Sequence, residues 1–225
     1  MQALRLIATL DPAVVEIAAL SLQVTAIALG FSAVIGVPGG AWLALTRFPG
    51  KRLFTTFIYT GMGMPPVVAG LVVYLLLSRV GPLGALGWLF SLRAMVVAQV
   101  IIATPLVVGV TMSAVLAVDP ALGQQLRALG ATRGQARLAI MSEARVGMIV
   151  GLVAGFGSII SEVGAVMLVG GNIDGRTRVL TTAIVLETRK GNFDLALALG
   201  VILLTLSFAA NTIMALGQGR LTDSH

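Results

Sequence analysis

Residues 118–147 read VDPALGQQLRALGATRGQARLAIMSEARVG, a polar interval set between long apolar runs. Asp119 precedes Pro120, which pairs an N-cap side chain with a residue whose fixed φ suits the first helical turn. Gly130 stands where a helix can end in a left-handed residue. These signals predict a short helix of about ten residues. On it Leu122, Leu126 and Leu129 fall at i, i+4 and i+7 and form one apolar stripe, with Gln124, Gln125 and Arg127 off it. Thr132 and Gln135 form a Thr-x-x-Gln capping box that starts a second helix carrying Arg133, Arg137 and Arg145. The interval is expected to be a helical hairpin that turns at Gly130, Ala131 and Thr132 and offers its leucine stripe for docking.

The flanking composition decides the solvent. Of 225 residues, 57% are hydrophobic and only 11% charged, with a mean hydropathy of +1.00, which indicates one membrane-embedded unit. A helix needs about 20 apolar residues to cross a hydrocarbon core of about 30 Å. Five segments qualify: 14–46, 54–78, 94–118, 146–169 and 193–216. An odd number of crossings puts the two termini on opposite sides. Basic residues in the loops nearly balance between the two sides, so the positive-inside rule gives modest support from Arg47, Lys51 and Arg52 near one span end.

Several spans carry polar or helix-breaking residues. Gly36-Val37-Pro38-Gly39-Gly40 predicts a bend in the first. Gly61, Gly63, Pro65, Pro66 and Gly70 interrupt the second at membrane depth, where freed backbone groups must face protein or a water-filled path. That break reads either as a packing kink or as a wall or gate of a pathway. Gln99, Thr104, Thr111 and Ser113 in the third are expected to face neighbouring helices. In the fourth, Gly147, Gly151, Gly155, Ser158, Glu162 and Ala165 recur every three or four residues and are expected to share one face that a second helix can approach closely. Glu162 reads either as a hydrogen-bonded acid that locks packing or as a gating or proton-linked group. Beyond it, residues 170–175 read as a turn and 176–190 as a short helix ended by Gly191. Asn172, Arg176 and Arg178 are loop candidates for meeting an anion or a protein partner; Asp174, Glu187 and Asp194 offset the basic residues there, so a solvated loop is the competing reading.

Much chemistry is excluded. There is no cysteine, and the single histidine is His225, so thiolate and His-Glu-x-x-His metal sites are absent from the sequence. No Gly-x-x-x-x-Gly-Lys-Ser/Thr loop can cradle a nucleotide. Ser158 and Ser161 have no positioned base, which argues against an enzyme. The net charge of +6 is scattered and lacks the basic stripe of a nucleic-acid binder. The first residues carry acids ahead of the apolar run and no compact cleavable pattern, so the first span is expected to be retained.

The hairpin resembles the cytoplasmic loop of permease subunits of binding-protein-dependent ABC importers, with its Glu-Ala-Ala, Gly and Leu-Pro pattern. Gln124, Gln125 and Leu126 stand where Glu-Ala-Ala occurs; Arg127, Leu129, Gly130 and Ala131 match; Met141-Ser142 replaces Leu-Pro. Residues 161–204, the Pro-Pro-Val-Val-x-Gly run at 65–70 and the Gly-Pro-Leu-Gly loop at 81–84 resemble the oxyanion branch, most of all tungstate-type permeases, with molybdate and sulfate relatives next. The resemblance implies an all-α integral membrane protein with five transmembrane helices, the type I ABC importer (MetI-like) permease fold, and a coupling hairpin at 119–145. It implies an extracytoplasmic segment at 1–12, a transmembrane domain at 13–217, a cytoplasmic tail at 218–225, and an inner-membrane protein with its N-terminus out and C-terminus in. The implied partners are a second permease copy, a cytoplasmic ATPase dimer and an extracytoplasmic oxyanion-binding protein, within membrane lipid and without nucleic acid. This chain is expected to bind no cofactor, ATP and Mg belonging to the ATPase. A stand-alone channel or secondary carrier is the rival reading, for which Glu162 is the sole intramembrane candidate.

Overall fold

A computed structural model describes residues 12–222; the expectations for residues 1–11, for the last residues of the tail and for His225 lie outside them. The helices in chain order are α1 (Pro12–Leu45), α2 (Lys51–Met62), α3 (Pro66–Leu77), α4 (Leu92–Leu116), α5 (Pro120–Ala128), α6 (Arg133–Glu143), α7 (Arg145–Ile160), α8 (Gly164–Gly170), α9 (Leu180–Arg189) and α10 (Phe193–Thr222), with a 3-10 turn at Gly84–Leu86. No strand occurs among the described residues. Three helices, α1, α4 and the Phe193–Ile213 part of α10, are long and apolar enough to cross a membrane alone, and two bent pairs, α2 with α3 and α6 with α7, bring the number to five if each pair is one span.

The core forms around α4, which packs along α1 and α7. Glycine permits the α1–α4 approach: a Cβ added at Gly40 would sit 2.5 Å from the Val108 carbonyl oxygen, and one at Gly36 would sit 2.7 Å from Val107 Cγ1. The run at 36–40 therefore lets two backbones close together. The expected bend is not a break, since α1 continues as one helix through Pro38, which lies on an exposed face where the missing N–H leaves no buried group unpaired. The polar residues of α4 reach across interfaces: Gln99 Nε2 donates to the Ile159 carbonyl at 3.1 Å, and Thr104 Oγ1 donates to Ser32 Oγ at 3.2 Å.

The second apolar segment breaks as its proline pair demands. Pro65 caps α3 and Pro66 occupies its first turn, and α3 leaves α2 at 102°. The fourth segment, by contrast, is not the continuous helix expected over 146–169. Helix α7 stops at Ile160, and α8 starts at Gly164. At 1.5 Å per residue the 16 residues of α7 rise about 24 Å, short of a full crossing. The displaced halves pack on each other: a Cβ at Gly70 of α3 would meet Ala165 Cα of α8 at 2.5 Å, and one at Gly164 would meet Val67 Cγ2 at 2.5 Å.

Helix α9 is the predicted short helix after the 170–175 turn, followed by Gly191 at φ 77. It is held to α1 by Ser21 Oγ, which accepts the Leu180 N–H at 2.7 Å, and by a cluster of Val14, Leu180, Ala183 and Leu199. Its far end carries a polar lock. Glu187 accepts from Lys190 Nζ at 2.8 Å and from Asn192 Nδ2 at 3.0 Å. The Lys190 hydrogen bond, assisted by Asn192 and opposed by desolvation, holds its carboxyl below the ordinary value of 4.5. A depressed folded-state pKa contributes stability that is present above the unfolded value and lost as pH falls through the folded one. Thermal stability of the purified protein is thus expected to fall with acidification below the ordinary carboxylate value, and Glu187→Gln is expected to flatten that acid limb while lowering stability at neutral pH. An unchanged acid limb in the variant would assign the pH dependence to other carboxylates.

Candidate functional site

The hairpin is built as its local signals dictate. Asp119 Oδ1 accepts the Ala121 N–H at 2.8 Å and caps α5. The Thr132–Gln135 box is reciprocal: Gln135 N–H donates to Thr132 Oγ1 at 3.3 Å and Thr132 N–H donates to Gln135 Oε1 at 2.8 Å. Between them Gly130 adopts φ 90, a conformation that costs glycine nothing and residues with a Cβ about 1–2 kcal/mol. Gln124, Gln125 and Arg127 are exposed and Ala131 is half-buried.

The leucine stripe divides. Leu122 and Leu126 are half-buried, and Leu122 faces the chain's own spans across a cavity of about 590 Å³ that Gln125, Asp119, Glu143 and Gly147 also line. Leu129 lies one residue past the end of α5 and is 86% exposed. Leu138 of α6 is 68% exposed; sequence reasoning missed it, although an apolar residue on a polar helix was the available signal. The outward apolar positions of the hairpin are Leu129 and Leu138.

Gly147, Gly151 and Gly155 line the α7 face that meets α4. A Cβ at Gly147 would collide with Ala114, one at Gly151 would come within 3.2 Å of Val110, and one at Gly155 within 3.0 Å of Val107. Ser158 is half-buried at the end of that helix. Glu162 does not continue the stripe; it sits in the gap between α7 and α8. There its Oε1 accepts the Ala165 N–H at 3.0 Å, and its carbonyl accepts from Thr181 Oγ1 at 2.9 Å. The acid thus covers a backbone donor freed by the helix break, as an N-cap side chain does.

Glu162→Gln retains an acceptor oxygen and is expected to leave folding intact. Glu162→Leu uncovers the Ala165 N–H and should cost about 1–2 kcal/mol. The thermal stability of the two variants in detergent, compared with transport, separates a capping role from a charge role: equal loss of transport at normal stability in both would point to charge.

The loop after α8 is wired to itself. Thr177, buried, donates to the Gly170 carbonyl at 2.6 Å and accepts the Ile173 N–H at 2.9 Å. Arg178 Nη1 pairs with Asp174 at 2.6 Å, so it belongs to the loop's own framework. Asn172 takes the left-handed conformation with φ 52. Arg176 is exposed and makes no ion pair among the described residues. No group of three or more candidate metal ligands occurs among the described residues.

The sequence profile of the binding-protein-dependent transport system inner membrane component matches residues 36–223. The chain belongs to that family. It is 45% identical over 206 residues to a probable anion ABC transporter permease protein of Haloferax volcanii, covering 89% of each chain. It is 39% identical over 216 residues to the tungstate uptake system permease protein TupB of Peptoclostridium acidaminophilum, covering 94% of this chain and 93% of that one. Its fold is similar to that of a solved inward-facing methionine ABC transporter, with a TM-score of 0.75, 21% identity, and 96% of this chain and 98% of the other covered. As a family member the chain is an inner-membrane component of a transport system that works with a binding protein, and the all-α MetI-like architecture expected from the hairpin is the one observed.

Proposed function

We propose that the chain is the permease subunit of an ATP-driven tungstate importer. The observation that carries this reading is the capped hairpin, rigid at both helix starts and presenting an 86% exposed leucine, in a chain 39% identical along 94% of its length to a tungstate permease. Leu129 and Leu138, with Gln124, Gln125 and Arg127 beside them, dock a cytoplasmic ATPase that binds ATP and Mg; the permease itself binds no cofactor. On this reading the N-terminus lies outside and the C-terminus inside, with the loop bearing Asn172, Arg176 and Arg178 toward the anion-delivering protein.

A second permease copy completes the path. The elbow of α2 and α3 exposes Phe54, Phe57, Val67, Leu71 and Leu75 at 47–66%, an apolar face that lipid or the second copy covers. ATP binding closes the ATPase pair, the hairpins move with it, and the spans rock as rigid bodies between inward-open and outward-open. The Pro65-Pro66 break and the Glu162 gap set two half-helices, α3 and α8, against each other as wall elements able to shift. Asp119 and Glu143 at the hairpin-side cavity disfavour retention of an anion there, which suits an exit.

The test is uptake measured by mass spectrometry in cells with and without the gene, with tungstate, molybdate and sulfate offered together at low concentration. Loss of ATP-dependent tungstate uptake alone supports the reading. Loss of molybdate or sulfate uptake instead moves the cargo to that anion, and no change in any of the three overturns the cargo assignment.

A further inference from the structure

Two cavities outside the hairpin share three residues. The first, of about 460 Å³, lies at the end of the spans that the 84–92 and 175–177 loops share, and Arg93 and Arg176 both line it beside Trp88, Ser91 and Gly175. The second, also about 460 Å³, is an apolar groove between α1 and α4, walled by Ile27, Phe31 and Ile35 on one side and by Leu92, Val96 and Val100 on the other. Trp88, Leu92 and Arg93 belong to both. A chamber lined by two arginines among apolar residues therefore adjoins a hydrocarbon slot.

We infer that this paired site binds an anionic phospholipid, its phosphodiester headgroup held by Arg93 and Arg176 and one acyl chain laid in the α1–α4 groove. Four observations carry the assignment. The two arginines outnumber the one nearby carboxylate: neither makes an ion pair among the described residues, and Glu16, whose carboxylate lies 3.7 Å from where a Cβ on Gly175 would stand, is the one acid beside the chamber. The geometry is fixed, since the Arg93 guanidinium lies 5.6 Å from the centre of the Trp88 ring, a cation–π contact that holds it at the junction. The groove faces outward: Ile27, Phe31 and Ile35 are 42%, 56% and 53% exposed. Its length also suits one leaflet. From Ile27 to Ile35 and from Leu92 to Ile101 the helices rise about 12–14 Å, close to half of a hydrocarbon core of about 30 Å. A free oxyanion would use the arginines and leave the slot unfilled; a lipid uses both.

The experiment takes the full-length permease, reconstituted in nanodiscs of equimolar phosphatidylglycerol and phosphatidylcholine, and counts retained lipid by native mass spectrometry after release into detergent. Retention of phosphatidylglycerol over phosphatidylcholine is expected, falling about fivefold for Arg93→Gln or Arg176→Gln and by roughly the product of the two for the double variant, as the loss of one basic contact each predicts. Arg93→Lys should keep most of the preference, and Val100→Trp, which fills the slot while sparing both arginines, should lose it. Monodisperse elution of each variant shows that folding is unaffected, and Arg176→Gln serves as the readout if Arg93→Gln disturbs the Trp88 contact. Equal retention of both lipids by the wild type, an unchanged preference in the double variant, or release of the lipid by inorganic phosphate or tungstate would each overturn the assignment. These outcomes do not depend on which anion the cells import.

Discussion

Leu129→Glu is expected to abolish ATP-driven uptake while leaving the permease folded. The residue is 86% exposed and lies at the turn between two capped helices, so a charge there removes no intramolecular contact and meets only water in the isolated subunit. In the docked complex proposed above the same position would be covered. Burying a leucine of this kind is worth about 1.5–3 kcal/mol, and replacing it with a carboxylate adds the cost of desolvating a charge. A loss of 2 kcal/mol or more, as at an interface hot spot, weakens association by about 30-fold or more. Leu126→Glu is the poorer probe, because Leu126 is half-buried against its own chain and its replacement mixes folding with docking. Co-purification with the ATPase and uptake by the same cells form the measurement. A Leu129→Glu permease that still carries its ATPase would remove the hairpin from the coupling contact.

Gly40→Leu is expected to prevent folded permease from accumulating at all. The Cβ of any replacement lands 2.5 Å from the Val108 carbonyl oxygen and 2.8 Å from Thr111 Cβ. A backbone atom cannot rotate away, so α1 and α4 must separate along the interface that holds the core. Overpacking costs about 1–3 kcal/mol where side chains can adjust, and here the cost lies above that range because two helices must move. The Thr104–Ser32 hydrogen bond at 3.2 Å spans the same interface and is lost with it. Gly30→Leu on the same helix is the control: nothing lies within 4 Å of a Cβ there, and its yield should match the wild type. Fluorescence-detected size exclusion of tagged variants compares them directly; a monodisperse Gly40→Leu peak at normal yield would show that the close approach is dispensable.

The sequence by itself determined the features that short-range chemistry controls. Asp119, the Thr132–Gln135 box and Gly130 act on neighbours within four residues, so the hairpin was legible before any tertiary contact was known. The Pro65-Pro66 break was legible for the same reason, because proline removes a donor wherever it stands. The lengths of the apolar runs gave the spans, since the bilayer sets one thickness for all of them.

Only the tertiary structure decided where the fourth span stops. No proline or glycine precedes Ile160 closely enough to end it there except Gly157, which sits within the helix. The gap at 161–163 is held from outside, by Gln99 donating to Ile159 across 60 positions and by Thr181 donating to Glu162 across 19. The same contacts moved Glu162 from a helix face to a cap. Packing likewise sorted residues that looked equivalent in the chain: Leu122 turned inward and Leu129 outward, Arg178 paired with Asp174 while Arg176 stayed exposed in the chamber. Periodicity places a residue on a face, but which face finds a partner depends on elements distant in sequence, and that choice exists only in the folded chain.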